Sequence, residues 1–273
     1  MVSSRTWMKR VVMGLAAGAI GLTACTKEEA PPAPAPQPAA AKPAPTATPS
    51  PAAAPAGGTY TETTVTNGGT IAGTVALTGS APKLEPQTRN KDPKVCGTTG
   101  PNETLLVGAG GGVQNAIVWL TDIHSGKKLV PATSTLNQTK CGFSPHVQAL
   151  PVGSSLTVIN SDPVLHNVHA SLGATTVFNY AMPIVNQKIP TKLTKAGIVR
   201  LKCDVHGWMN GAIGVMPNPY FAVTGADGSF TIADVPPGTY TVHAWHETLG
   251  DRDTQVTVPA GGKAQADLKY AVK

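Results

Sequence analysis

The sequence predicts an all-β protein, built as a sandwich or barrel. Three observations lead there. Apolar residues recur at every second position in short runs, as in Ile71, Val75 and Leu77, in Val199, Leu201 and Cys203, and in Tyr240, Val242 and Ala244; this is the side-chain period of a half-buried strand. Turn formers such as Ala226-Asp227-Gly228 and Pro236-Pro237-Gly238 separate the runs, and Gly and Pro together make about a fifth of the 273 residues. No apolar stripe with the period of an amphipathic helix interrupts them, and aromatics at 5% leave little for a large α/β enzyme core.

From the N-terminus, residues 1–25 read as an export signal: basic Arg5, Lys9 and Arg10, an apolar run over 11–22, then Leu22-Thr23-Ala24-Cys25. The run is too short to span a bilayer. Its last four residues resemble the lipobox of bacterial lipoproteins, which implies that Cys25 is acylated, becomes the new N-terminus and anchors the chain to a membrane; an ordinary signal peptide cleaved nearby is the alternative. Thr26 after the cysteine leans by the same resemblance toward the outer membrane. Loss of the three basic residues lowers the formal charge from +6 to about +3, and no Lys/Arg cluster interleaved with aromatics appears, so no nucleic-acid partner is expected. Residues 26–59 carry ten prolines among alanines and no hydrophobic period. Such a stretch is expected to be an extended tether, its central part reaching up to ~75 Å.

Strands are then expected over 70–77, 115–120, 156–159 and 198–203. The last ends in Cys203-Asp204-Val205-His206-Gly207-Trp208-Met209, which sets a thiolate, an imidazole and a thioether within seven residues. The alternation places Cys203 on the inward face with Val199 and Leu201, while Arg200 and Lys202 face the other way. A second imidazole comes from His166, just after the strand over 156–159. Two imidazoles, one thiolate and a weak axial Met form the ligand set of blue-copper electron-transfer sites, because soft sulfur suits Cu(I) and imidazole suits Cu(II). Structural zinc collects Cys and His in pairs and has little use for Met. His-x-His pairs are absent from the sequence, which argues against a trinuclear oxidase centre.

These residues carry a resemblance. Phe143-Ser144-Pro145, Val152-Gly153, Asn160-Ser161-Asp162, His166-Asn167-Val168 and Cys203-x-x-His206-x-x-Met209 together resemble the cupredoxins, and within them the amicyanin/plastocyanin-like branch. The resemblance covers residues 135–216 and implies a Greek-key β-sandwich holding one type 1 copper ion. It implies His166, Cys203 and His206 as strong ligands, Met209 as the axial one, and Asn167 as the residue that ties the His-bearing loop to the Cys-bearing loop. Asp204 departs from the Ser, Thr or Pro common beside the ligand Cys and puts the potential in doubt. Trp208 is expected as an apolar lid, His169 as an ordinary half-exposed histidine, and His206 as the solvent-side ligand through which the electron leaves.

The flanks resemble a second family. Residues 69–75 and 115–120, then 223–232 and 235–240, are similar to the first and closing strands of the carboxypeptidase regulatory-like, transthyretin-like sandwich. The cupredoxin segment, 133–217, is thus expected to be inserted in or adjacent to a sandwich made of 60–132 and 218–273, and each part is expected to fold without the other. Cys96 and Cys141 remain. In an oxidising envelope they most simply form a disulfide; the competing idea is a second metal site, since Cys141 lies close in sequence to His146 and no role is assigned to His124, His243 or His246.

Two functions stay open. One is a monomeric, membrane-tethered, periplasm-facing carrier of single electrons between redox proteins, not an enzyme. The other is an envelope binding or structural lipoprotein whose copper site serves storage or sensing.

Overall fold

The computed structural model describes residues 60–272; the export signal, Cys25 and the Pro/Ala tether lie outside the described residues. The described chain is all-β: strands in four main sheets, with one four-residue helix, Pro93–Cys96, and one 3-10 turn. The sheets stack into four layers, and each of the three interfaces between them is apolar.

Residues 133–216 supply the first two layers. One sheet runs, in spatial order, Gln187–Lys192, Ser155–Asn160, Thr133–Thr139 and Gly142–Ser144; the other runs Thr175–Met182, His166–Leu172, Gly197–Lys202, Asn210–Met216 and Val147–Pro151. Ser155–Asn160 lies parallel to Thr133–Thr139, and Asn210–Met216 parallel to Val147–Pro151. Parallel neighbours cannot be joined by a hairpin, so the chain crosses between the two sheets of the sandwich. Leu136, Leu156, Val158, Val168, Val199, Leu201, Ile213 and Val215 fill the space between them, and Cys203 and Met209 belong to the same core.

The last two layers come from both flanks of that segment. Gly69–Thr78 pairs with Ser229–Val235 on one side and, in succession, with Lys263–Gln265 and Leu268–Ala271 on the other. Ile117–Leu120 pairs with Phe221–Val223 and with Gly238–His246, which continues to Gly250–Val258. Ile71, Val75, Leu77, Val118, Leu120, Phe230, Ile232, Val242 and Ala244 close this second core.

The third interface joins the two sandwiches face to face. Ile117, Trp119 and Trp245 on one side meet Val147, Ile198, Ala212 and Met216 on the other. This explains why Ile117-Val118-Trp119-Leu120 is apolar throughout: in a strand buried on both faces, Ile117 and Trp119 serve one core while Val118 and Leu120 serve the other. Gly214 lies in this contact. A Cβ there would come within 2.5 Å of the Met216 methyl and 3.1 Å of Ile117, so the missing side chain lets the sheets approach. Arg200, on the outward face of its strand, lies over the Trp245 ring at 5.2 Å.

The interface revises the expectation that the two sandwiches are separable. A chain joining residue 132 directly to 218 would expose Ile117, Trp119 and Trp245, each worth about 1.5–3 kcal/mol when fully buried. Such a chain is predicted to aggregate or unfold at lower denaturant than the whole protein. Trp245→Ala in the intact chain is predicted to cost roughly 3–5 kcal/mol in equilibrium unfolding; a loss under 1 kcal/mol would show that the interface is not holding the layers together.

Candidate metal centre

The centre lies at one end of the first sandwich, where three chain segments meet. His166 opens its strand, Cys203 follows the end of Gly197–Lys202, and His206 and Met209 lie in the turn leading into Asn210–Met216. That turn is closed by its own backbone: the Cys203 N–H donates to the Met209 carbonyl at 3.1 Å and the Met209 N–H to the His206 carbonyl at 2.9 Å. All four side chains are buried, His166 and His206 completely.

His166, Cys203 and His206 bring one donor atom each to within 4.8 Å of one another. The two imidazole Nδ1 atoms face each other at 3.0 Å, and the Cys203 sulfur lies 3.9 Å from the His206 Nδ1. The far nitrogens are also engaged: His166 Nε2 is 3.0 Å from Asp162 Oδ2, and His206 Nε2 is 2.9 Å from Asp92 Oδ2. A carboxylate only accepts, so each Nε2 carries a proton, and in the neutral ring Nδ1 is then a lone pair. Two Nδ1 atoms at this distance are satisfied either by a proton between an imidazolium and an imidazole or by a cation that both ligate. With a metal–imidazole bond of about 2.0 Å, two such nitrogens subtending roughly 100° lie about 3 Å apart. The donor set therefore fits a metal ion, and the carboxylate–imidazole pairs are the outer partners such ions commonly have.

The sulfur is equally prepared. Backbone N–H groups of Asn167 and His206 point at Cys203 Sγ from 3.5 and 3.3 Å. Burial pushes the thiol up, but His166 and the N–H groups of Asn167, His206 and Val205 outweigh it and lower the Cys203 pKa toward the thiolate. Asn167 joins the two loops: its Oδ1 accepts from the Asp204 N–H at 2.6 Å, and its Nδ2 donates to Asp204 Oδ2 at 2.9 Å and to Asn179 at 2.8 Å. The Asp204 carboxylate points away from the sulfur to an exposed cluster with Lys202 and His169, and is held down to about 2, first by Lys202. Met209 is buried in the same core as Cys203.

His206 departs from the sequence-based expectation. It is fully buried and not solvent-side, because residues 87–100, from the chain before the first sandwich, fold over it. Asp92 reaches its Nε2, Cys96 is disulfide-bonded to Cys141, and Arg89 donates to the Cys96 and Lys140 carbonyls at 2.8 and 3.0 Å. Trp208 packs its ring 5.0 Å from that of His206 and donates from Nε1 to the Cys141 carbonyl at 3.1 Å.

With its sulfur in the disulfide, Cys141 is no thiolate ligand for a second metal, and the remaining histidines have other partners. His146 is bonded to Glu247, His243 lies between Asp251 and Asp253 against the Trp119 ring, His246 accepts through Nδ1 from the Thr248 and Leu249 N–H groups, and His124 is exposed. Sequence reasoning missed Asp92 and Asp162. Asp162 lies in the quoted motif four residues before His166, a usable signal. Asp92 is 114 residues from His206 and has none.

A family model described as Polysaccharide lyase family 4, domain II, matches residues 192–266, the end of the first sandwich and the strands of the second from Phe221–Val223 to Lys263–Gln265. No curated protein matches the chain. Among solved structures, the chain is similar to a reduced Cu(I) form of an amicyanin variant at pH 4, at 25% identity and TM-score 0.28, over 31% of this chain and 82% of that one. It is similar to a purple cupredoxin from Nitrosopumilus maritimus at 20% identity and TM-score 0.27, over 30% and 99%. A copper-containing nitrite reductase from Thermus scotoductus SA-01 matches at 22% identity and TM-score 0.29, over 34% of this chain and 24% of that one.

Asp162→Asn and Asp92→Asn would each turn an amide toward an imidazole N–H, and metal affinity measured by chelator competition should fall about 10–100-fold; unchanged affinity in both would mean that the carboxylates do not orient the ligands. His246, buried and lowered to about 4, first by burial, stays neutral in the fold while the unfolded chain takes up a proton below ~6.5. Stability should therefore fall with pH between those two values, and denaturant midpoints at pH 7 and pH 5 should show a smaller drop for His246→Gln than for the parent.

Proposed function

We propose that this protein is a one-electron carrier holding a single type 1 copper ion, with His166, Cys203 and His206 as strong ligands and Met209 as the axial one. The observation that carries this reading is the pair of facing Nδ1 atoms within reach of one ion beside a thiolate-favouring sulfur, all buried. When bound, copper would supply reversible uptake and release of one electron. The chain's residues do the rest. Asp162 and Asp92 hold the imidazoles in one tautomer, the Asn167 and His206 N–H groups stabilise the sulfur's charge, Asn167 fixes the two loops to each other, and the surrounding core excludes water. A buried site that cannot rearrange suits rapid electron exchange, since little has to move when the charge changes.

In this reading the mature chain begins at lipidated Cys25, faces the periplasm on a Pro/Ala tether, more readily from the outer than the inner membrane, acts as a monomer and exchanges electrons with redox proteins without catalysing a reaction. The second sandwich is read as a carboxypeptidase regulatory-like or transthyretin-like module, and the segment 87–100 that follows its first strand covers His206. That cover also favours a second reading, an envelope copper store or sensor, because full burial of the donors slows exchange with solution.

With Cu(II) bound, the protein should show an intense charge-transfer band near ~600 nm, the mark of His₂Cys copper. Cys203→Ser should abolish the band, whereas Met209→Leu should keep the colour and raise the potential. A protein that stays colourless and redox-silent after copper loading would sink the proposal; a blue protein that cannot be cycled by one-electron reagents would leave the storage reading. Cys25→Ala should move the protein from the membrane to the soluble fraction, and continued membrane association would point to another anchor.

A further inference from the structure

Covering His206 closes the face through which a partner would most simply reach the centre, and the surface opens elsewhere. Leu165, Ile184 and Val185 are three of the five large hydrophobic residues most exposed among the described residues, at 44, 65 and 44%. They lie in two adjoining loops with exposed Pro163 and Pro183. The loops are clamped by buried Asn160, whose Nδ2 donates to the Val164 carbonyl at 3.0 Å and the Met182 carbonyl at 2.8 Å, while its own carbonyl accepts from the Asn186 N–H. Leu165 is the chain neighbour of His166, and Met182 is its strand partner. The platform is thus a rigid apolar surface attached directly to a ligand residue.

Its margin is basic. Exposed Lys140 is joined by its backbone N–H to Asp162, exposed Lys188 follows the second loop, and exposed Lys91 and Lys94 flank Asp92 on the cover. Of the carboxylates at this end, Asp162 and Asp92 are engaged with imidazoles, and exposed Asp204 is paired with Lys202. An apolar centre within a positive margin matches a partner with an apolar contact face and an acidic rim, since complementary charge speeds encounter while the desolvated centre holds the complex.

We infer that a redox protein of that kind docks on the platform formed by Leu165, Ile184 and Val185, so that the electron passes beside His166 and not through His206. The inference rests on the copper reading, but the docking itself does not require the metal. Metal-free protein should bind an acidic plant-type ferredoxin, used as the probe, in calorimetric titration at low salt. Binding should weaken as salt rises from about 10 mM to about 150 mM, where the Debye length drops from ~30 to ~8 Å. Basic cytochrome c should bind more weakly than the ferredoxin. Ile184→Asp with Val185→Asp should lower ferredoxin affinity about tenfold, and Lys188→Glu should flatten the salt dependence. In copper-loaded protein the same double change should slow electron exchange with ferredoxin by a similar factor and leave the ~600 nm band and exchange with ascorbate unaltered. Undiminished ferredoxin binding by the double variant, or tighter binding of cytochrome c, would overturn the docking surface; slowed ascorbate exchange would overturn it too, by placing the damage at the metal. A wild-type protein without the blue band would remove the copper reading, while the metal-free titration would still decide the surface.

Discussion

The orientation of two imidazole rings is the constraint on which the centre depends. Asp162 and Asp92 each hold a proton on an Nε2 atom, and so turn both Nδ1 atoms toward one point. Asp162 is itself fixed, accepting the backbone N–H groups of Lys140 and Cys141 at 2.8 Å. Those are the residues that the disulfide and Arg89 tie to the cover carrying Asp92. The two carboxylates are therefore held by one connected unit although they come from opposite sides of Cys96–Cys141. The centre is assembled by both halves of the chain.

This arrangement has an energetic logic. Buried charges and buried polar rings are costly unless every donor and acceptor finds a partner. Here the carboxylates are matched by imidazole and backbone N–H groups, and the sulfur by two more backbone donors. What remains is the pair of facing Nδ1 atoms, which a shared proton or a cation satisfies. The apolar stack supplies the rigidity: the strand carrying Val199 and Leu201 toward the centre packs Ile198 against the second sandwich on its other face.

Much of this was legible in the residues. Period-2 runs gave the strands, and the inward parity of Val199, Leu201 and Cys203 holds, since all three lie in one core. Ile117-Val118-Trp119-Leu120 read as apolar without saying on which faces, because a strand buried on both sides has no alternation to report. The grouping of His166 with Cys203 and His206 followed from residue chemistry. The cover did not: Asp92 and Arg89 act through contacts made far along the chain, and a run such as Asn90-Lys91-Asp92-Pro93 carries the local signal of a turn and nothing more. For that reason the burial of His206, which alters how a partner can approach, became visible only in three dimensions.

The order of pairing also bears on how the chain can be made and exported. Gly69–Thr78, central to its sheet, finds its neighbours at residues 229–271. On a ribosome or emerging from a secretion channel it must wait, bridged only from Ala76 to Gly112, for some 150 residues to follow before its strand partners appear. Residues 133–216 meet no such delay, since their sheet partners lie among themselves. Assembly from the N-terminus therefore has a natural sequence in which the inner sandwich forms first and serves as the template on which the outer layers, and last of all the final strand Leu268–Ala271, are laid down.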